Sequence, residues 1–373
     1  MDDNRKLAHI ELINDIQPIE GSDFLEVCSC LGWHVVVAKD EFKIGDKVLY
    51  IEVDSVLPPT KEFEFMAKHK YRVKTIKLRG QVSQGLIVPI IGTVVNCKVG
   101  TDMTNLYGIT KYLNVAEKAE EEEYRLKISL KKSIFKKFMY KYKWYRNIFS
   151  IKKTSEYPCW VVKTDENRIQ NIPQVLYKFK DTIVSVTEKV DYQSATFTGQ
   201  MISSQIPLFG KLLEKKFKFI VCGRNLIIND KNNLHWRIAN KYHLEEILRD
   251  NPHLTIQGEQ GNTNVQGNKY GINEPKLWVF NIIDHKRNYH YNYEEMCEFC
   301  NRYGLLVVPL IGYHKVSDIG LTVDEWVKFS EGKSTINPKI HREGIVVRSI
   351  INGVKELSFK TTNPKFLLKY DGE

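Results

Sequence analysis

Lys189 and Asp191 lie two residues apart in the run Val184-Ser185-Val186-Thr187-Glu188-Lys189-Val190-Asp191. Side chains of a strand alternate between its two faces. On that reading Val184, Val186 and Val190 form an apolar face with Glu188 among them, while Ser185, Thr187, Lys189 and Asp191 project the other way. A lysine amine attacks phosphorus only when it is neutral. Its pKa has to be lowered for that, by desolvation or by nearby cations, a metal included. Taken by itself, the segment reads more plainly as an exposed Lys–Asp pair on an edge strand.

Other segments bear on that choice. Cys222-Gly223-Arg224-Asn225 carries an arginine, and Thr255 to Glu259 ends in Gly258-Glu259 before a glycine-rich stretch that runs through Gly267 and Gly271. Leu277 to Asp284, with Trp278 and Phe280, reads as a buried strand. Glu343 opens the strand-like Arg342 to Arg348, and Leu357-Ser358-Phe359-Lys360 places a lysine near the C-terminus. Each is ordinary alone.

In this order they resemble the covalent nucleotidyltransferase superfamily of ligases and capping enzymes. The family's Glu-Lys-x-Asp-Gly, arginine, Gly-Glu, aromatic-strand, Glu-Gly-[Val/Ile]-Val and terminal-lysine motifs stand here as Glu188 to Tyr192, Arg224, Gly258-Glu259, Leu277 to Ile283, Glu343 to Val346 and Ser358 to Lys360. The likeness is nearest to ATP-dependent RNA ligases with an N-terminal OB-fold domain. Lys163 to Asn171, Gly32 to Tyr50 and Leu78 to Leu86 match that branch, so the resemblance spans nearly the whole chain.

The resemblance implies a reaction. Lys189 would take AMP from ATP, pass it to an RNA 5′-phosphate, and a 3′-OH would then displace it, as at a nick in a duplex with RNA on the 3′-OH side. Lys189, Asp191 and Lys360 would be catalytic. Glu188, Arg168, Arg224, Glu259, Trp278, Phe280, Glu343, Lys360 and Lys369 would bind the nucleotide. Asp191, Glu259 and Glu343 would hold Mg2+ or Mn2+, in part through water. Two positions depart from the pattern. Tyr192 stands where the family has glycine, and Ser358 where related enzymes carry a first lysine, with Lys355 or Lys369 as possible compensation. The departures keep a second reading open, a decayed ligase that only binds RNA. A DNA ligase or capping enzyme is a third, disfavoured because those usually place the OB domain after the lysine domain.

These residues need a scaffold, and the expected class is α+β: an N-terminal OB-like β-barrel followed by a C-terminal mixed α/β adenylyltransferase domain. Residues 1–112 are strand-rich, with runs at Leu7 to Leu12, Phe24 to Cys30, Trp33 to Ala38, Lys47 to Val53, Tyr71 to Leu78 and Gly85 to Ile91. Such barrels bind RNA single strands in other proteins. Residues 113–157 form a linker in which basic and aromatic residues interleave, as in Lys136-Lys137-Phe138-Met139-Tyr140-Lys141-Tyr142-Lys143-Trp144. That stretch reads either as a grip on RNA or as a solvated amphipathic helix. Residues 158–373 mix strands with helices expected at Tyr242 to Arg249 and Glu294 to Tyr303. Gln200 to Lys218, ending in the basic run Lys211, Lys215, Lys216 and Lys218, reads as a variable surface insertion, with a contact to RNA as the alternative.

The charge agrees with a polyanionic partner: 55 Lys+Arg against 45 Asp+Glu, a net +10. Seven cysteines are too few, and odd in number, for a disulfide framework, which predicts reduced thiols in the cytoplasm or another reducing intracellular compartment. Cys297 and Cys300 lack a second pair at zinc spacing. No apolar run approaches the ~18–20 residues of a membrane span, so a soluble monomer without membrane partners is expected.

Overall fold

The computed structural model describes residues 6–90, 92–112, 157–203, 215–224, 226–263 and 266–370. The interleaved basic and aromatic run, expected as a linker, lies outside them.

The N-terminal part contains β1 (Ala8–Pro18), β2 (Leu25–Cys30), β3 (Trp33–Ala38), β4 (Lys47–Ile51), β5 (Ser55–Val56), β6 (Thr75–Leu78), β7 (Gln81–Gln84), β8 (Leu86–Pro89) and β9 (Thr110–Lys111). Five of them form a sheet in the order β3-β2-β1-β4-β8. The long β1 pairs with β4 over Ala8 to Leu12 and with β2 from Ile13 onward, with a register shift between Ile13 and Asp15. Such a bulge bends one strand so that it serves two parts of a curled sheet. Along β3, Trp33, Val35 and Val37 are buried and alternate with half-buried His34 and Val36. The strand expected over Tyr71 to Leu78 begins only at Thr75, because Lys70 and Tyr71 turn the chain at φ 53° and 57°.

The C-terminal part has two sheets. Its strands are β10 (Ile183–Lys189), β11 (Gln193–Ser203), β12 (Lys215–Cys222), β13 (Leu254–Gly261), β14 (Lys276–Asp284), β15 (Tyr289–His290), β16 (Leu306–Val307), β17 (Leu310–Lys315), β18 (Gly344–Ile351) and β19 (Val354–Thr362). One sheet runs β17-β10-β18-β19, and the other β12-β11-β13-β14-β15 with β16 paired parallel to β14. Its helices are α1 (Gln174–Lys178), α2 (Leu234–Lys241), α3 (Leu244–Asp250), α4 (Tyr293–Arg302), α5 (Val316–Ile319), α6 (Val323–Ser330) and α7 (Pro364–Tyr370).

Helices α2, α3 and α4 pack Ile238, Leu248 and Phe299 on the larger sheet. On the smaller sheet, α6 packs Trp326 against Phe359, Val186 and Val347. Capping boxes, Asn292 with Glu295 and Thr322 with Glu325, fix where α4 and α6 begin. The helix expected over Tyr242 to Arg249 is present as α3 but begins two residues later, at Leu244, because His243 at φ 51° breaks the chain between α2 and α3. The described ends of the expected surface insertion belong to the paired strands β11 and β12, with Ser203 opposite Lys215.

Candidate active site

A cleft of about 620 Å3 lies between the two C-terminal sheets, lined from one by Lys189, Val346 and Lys360 and from the other by Glu259 and Phe280. Lys189 ends β10, whose apolar residues Val184 and Val186 are fully buried. Register supplies its partner: Lys189 pairs with Gly344 on β18, so Glu343 falls beside it. The Lys189 ammonium donates to Glu343 Oε1 at 2.5 Å. A Cβ on Gly344 would stand 2.1 Å from the Thr361 carbonyl oxygen, so glycine is what lets β18 lie this close to β19.

The electrostatics of the cleft are those of a cation among carboxylates. Burial pushes the Lys189 pKa down, but Glu343, Glu259 and Asp191 outweigh it and leave it raised. The surroundings of Lys189 thus favour its charged form. Burial pushes Glu259 well above the ordinary carboxylate range. Glu259 Oε2 and Glu343 Oε2 are buried without a hydrogen-bond partner. Orphaned carboxylate oxygens of this kind are costly unless a cation meets them. Lys360, on β19, is lowered to about 8 by burial, then by Lys189 and Arg168.

Residues 182–370 match the family described as RNA ligase, and residues 7–90 match one described as an OB-fold domain. The chain belongs to the RNA ligase family. Its structure is similar to that of Naegleria gruberi RNA ligase in several forms. An aspartate-to-alanine variant without ligand aligns at TM-score 0.69 and 25% identity, covering 98% of each chain. The form with PPi and an arginine-to-alanine variant with ATP and Mn each align at TM-score 0.68 and 25% identity, covering 98% of this chain and 99% of theirs. No curated protein sequence matches the chain. The barrel-then-catalytic-domain order expected from sequence is the order of this ligase.

Most of the expected site residues meet in the ligase cleft: Glu188, Lys189, Asp191, Arg224, Glu259, Phe280, Glu343 and Lys360 all line it. Glu188 Oε2 accepts the Thr335 amide at 2.7 Å, and its Oε1 has no partner. Arg224 pairs with Asp165 at 2.6 Å on the exposed rim. Arg168 is not part of the lining; it forms a parallel bridge with Lys360 just outside. Two expected nucleotide ligands stand elsewhere. Trp278 is 5% exposed and packs under Tyr192, and Lys369 is exposed on α7. Of the expected metal set, Asp191 is paired with Lys269 at 2.5 Å and Glu343 with Lys189. Among the described residues no three His, Cys, Asp or Glu side chains are arranged to hold a metal as they stand.

Three residues that the motifs do not single out complete the site. Lys269, from the loop between β13 and β14, caps Asp191 beneath the rings of Phe366 and Tyr370 on α7. Glu166 accepts from Arg348 at 2.8 Å and from the Ser358 hydroxyl at 2.6 Å, with Lys355 at 3.9 Å. Arg348 also donates to the Phe280 carbonyl, tying the two sheets together across the cleft. Arg348 follows Glu343 on one strand, a legible hint; nothing in the sequence marks Lys269 or Glu166 as their partners.

Proposed function

We propose that this RNA ligase is ATP-dependent and joins an RNA 3′-OH to a 5′-phosphate, sealing nicks through a lysyl-AMP on Lys189. The observation that carries the reading is Lys189 Nζ, set among Glu343, Glu259 and Asp191 with Lys360 in the same cleft. In the first step the Lys189 amine attacks the α-phosphate, a P–N bond forms, and pyrophosphate leaves with the electrons of the P–O bond. In the second the RNA 5′-phosphate displaces the lysine; in the third the 3′-OH displaces AMP. Phosphoryl transfer of this kind depends on alignment and charge neutralisation. Lys360, Arg168 and Arg224 supply cations toward the triphosphate, and Glu188 presents a buried, unpartnered oxygen for the base.

The Naegleria variant with ATP and Mn supports the same nucleotide and a divalent ion here. The residues fit a divalent cation, since Glu259 and Glu343 each bury a bare carboxylate oxygen. Asp191, Glu259 and Glu343 would hold Mg2+ or Mn2+ once the ion displaces Lys269 and Lys189 from the first and last of them, with water completing the shell. Such an ion, when bound, neutralises phosphate charge and favours the neutral form of Lys189. RNA has a surface to follow on the barrel as well. A groove of about 670 Å3 there is lined by Lys68, Lys70, Arg72 and Lys74 beside Val35, Ile76 and Ile87.

The test is labelling with ATP that carries a radioactive α-phosphate, in the presence of Mn2+ and resolved under denaturing conditions. Wild type takes label and Lys189→Ala does not, and only wild type joins a nicked duplex with RNA on the 3′-OH side. Joining by Lys189→Ala would overturn the assignment. Absence of label on protein freed of AMP would favour the RNA-binding, non-catalytic reading.

A further inference from the structure

The barrel touches the catalytic domain beside the phosphate-facing cations. Gly32, at φ 71° in the turn before β3, approaches α6 so closely that a Cβ there would lie 2.4 Å from Val323 Cγ1. Lys77 Nζ donates to the Leu368 carbonyl of α7 at 2.8 Å. Between these contacts the Arg168 guanidinium lies over the Trp33 ring, 5.0 Å from its centroid. A guanidinium within about 6 Å of an indole centroid is attracted by the negative face of the ring, most strongly where water is excluded.

Trp33 is built as a rigid support. It is 1% exposed and stacks on Tyr50, with centroids 6.2 Å and planes 18° apart. The Tyr50 hydroxyl is fixed on the Gln84 carbonyl at 3.0 Å. On the catalytic side the Arg168 main chain is held, because it bridges to Lys360 and the Lys360 amide donates to the Asn167 carbonyl at 2.8 Å. Two like charges are thus held near each other at the mouth of the cleft. An electron-rich ring behind one of them offsets part of their repulsion and fixes where the guanidinium points.

We infer that Trp33, a residue of the barrel, is a positioning residue for Arg168, so that the barrel shapes the site for the leaving phosphates of ATP as well as any RNA surface. The inference rests on the proposed reaction, in which Arg168 faces those phosphates. Its readout is the ATP requirement for lysyl-adenylate formation in the full chain, separated from the rate at saturating ATP.

Trp33→Leu raises the half-saturating ATP concentration roughly three- to tenfold while the saturated rate stays close to wild type. Trp33→Phe restores most of the affinity, since it keeps an aromatic face. In an Arg168→Ala background Trp33→Leu adds nothing further. An equal increase in both backgrounds, or a fall in the saturated rate alone, overturns the inference. Should Trp33→Leu not fold, fluorotryptophan-labelled protein decides: the Trp33 fluorine resonance shifts on adding pyrophosphate in wild type and not in Arg168→Ala. A resonance unmoved by pyrophosphate in wild type also overturns it. Wild type that takes no label from ATP would sink the proposed reaction itself, a separate outcome from labelled wild type with unaffected Trp33 variants.

Discussion

Tyr192 lies flat against Trp278, with ring centroids 5.7 Å and planes 9° apart. Tyr270 closes the cluster at 5.1 Å, and the Tyr192 hydroxyl donates to Asn268 Oδ1 at 3.1 Å. Gly261 makes the room: a Cβ there would meet the Tyr192 ring at 2.5 Å. The residue that departs from the family pattern is therefore a packed part of the cleft wall. Removing it leaves a cavity, so Tyr192→Gly costs about 3–5 kcal/mol of stability, read by denaturant unfolding. Gly261→Ala is destabilising in the native background and close to neutral beside Tyr192→Gly. Equal costs in the two backgrounds would show that the ring and the glycine are not complementary.

Glu166 gives a pH-dependent prediction. Burial pushes its carboxyl up, but Arg348, Lys355 and the Ser358 hydroxyl outweigh this and hold it at about 2, against an ordinary 4.5. A depressed carboxyl stabilises the fold above its unfolded-chain value, and that contribution is lost as pH falls through the folded value. Glu166→Gln therefore loses on the order of 3 kcal/mol at pH 7. The gap to wild type narrows between about pH 4.5 and pH 2. Urea unfolding across that range measures it. A gap that does not change with pH would mean that packing, and not charge, is what Glu166 supplies.

Much of this was legible in the sequence because it depends on local pattern. The short apolar run Trp33 to Ala38 is a strand over those same residues. The valines before Lys189 mark a strand with one buried face, but its segment alone reads as an edge strand, and only the fold places it between β17 and β18 with Glu343 beside Lys189. What was not legible depends on the fold bringing distant residues together. Lys269 reaches Asp191 across 78 residues, and Ser358 reaches Glu166 across 192. Trp278 misled for a related reason. Alternation along β14 sends Trp278 and Phe280 to one side, but the register shift between Gln257 and Gly258 and the ring of Tyr192 leave only Phe280 in the cleft lining.

Lys269 and Asp191 are coupled strongly enough to measure. Their side chains are 17% and 19% exposed and 2.5 Å apart, and water screens such a pair poorly. Lys269→Met strands the carboxylate and Asp191→Asn strands the ammonium. Each single change costs more than its share of the double change, with a coupling of about 1–3 kcal/mol in a double-mutant cycle read by unfolding. Additive losses would mean the pair contributes nothing beyond its separate contacts.

The Lys189–Glu343 pair sets the resting charge of the proposed nucleophile. Glu343 leads the attractions that overcome burial and keep Lys189 protonated above the ordinary lysine range. Taking that charge away leaves burial less opposed, so in Glu343→Gln the Lys189 proton leaves at lower pH than in wild type. Reaction of Lys189 with an amine-selective reagent at graded pH, followed by peptide mass analysis, reads the midpoint without ATP or metal. The midpoint moves down in Glu343→Gln, even though under the proposed reaction that variant forms less lysyl-adenylate, having lost a carboxylate beside Lys189. The two effects run in opposite directions for a physical reason. At rest Glu343 stabilises the charged lysine, and in the proposed reaction it would serve only once that charge has been relieved. An unmoved midpoint would show that Glu259 and Asp191 suffice to hold the proton, and that the short contact with Glu343 does not control it.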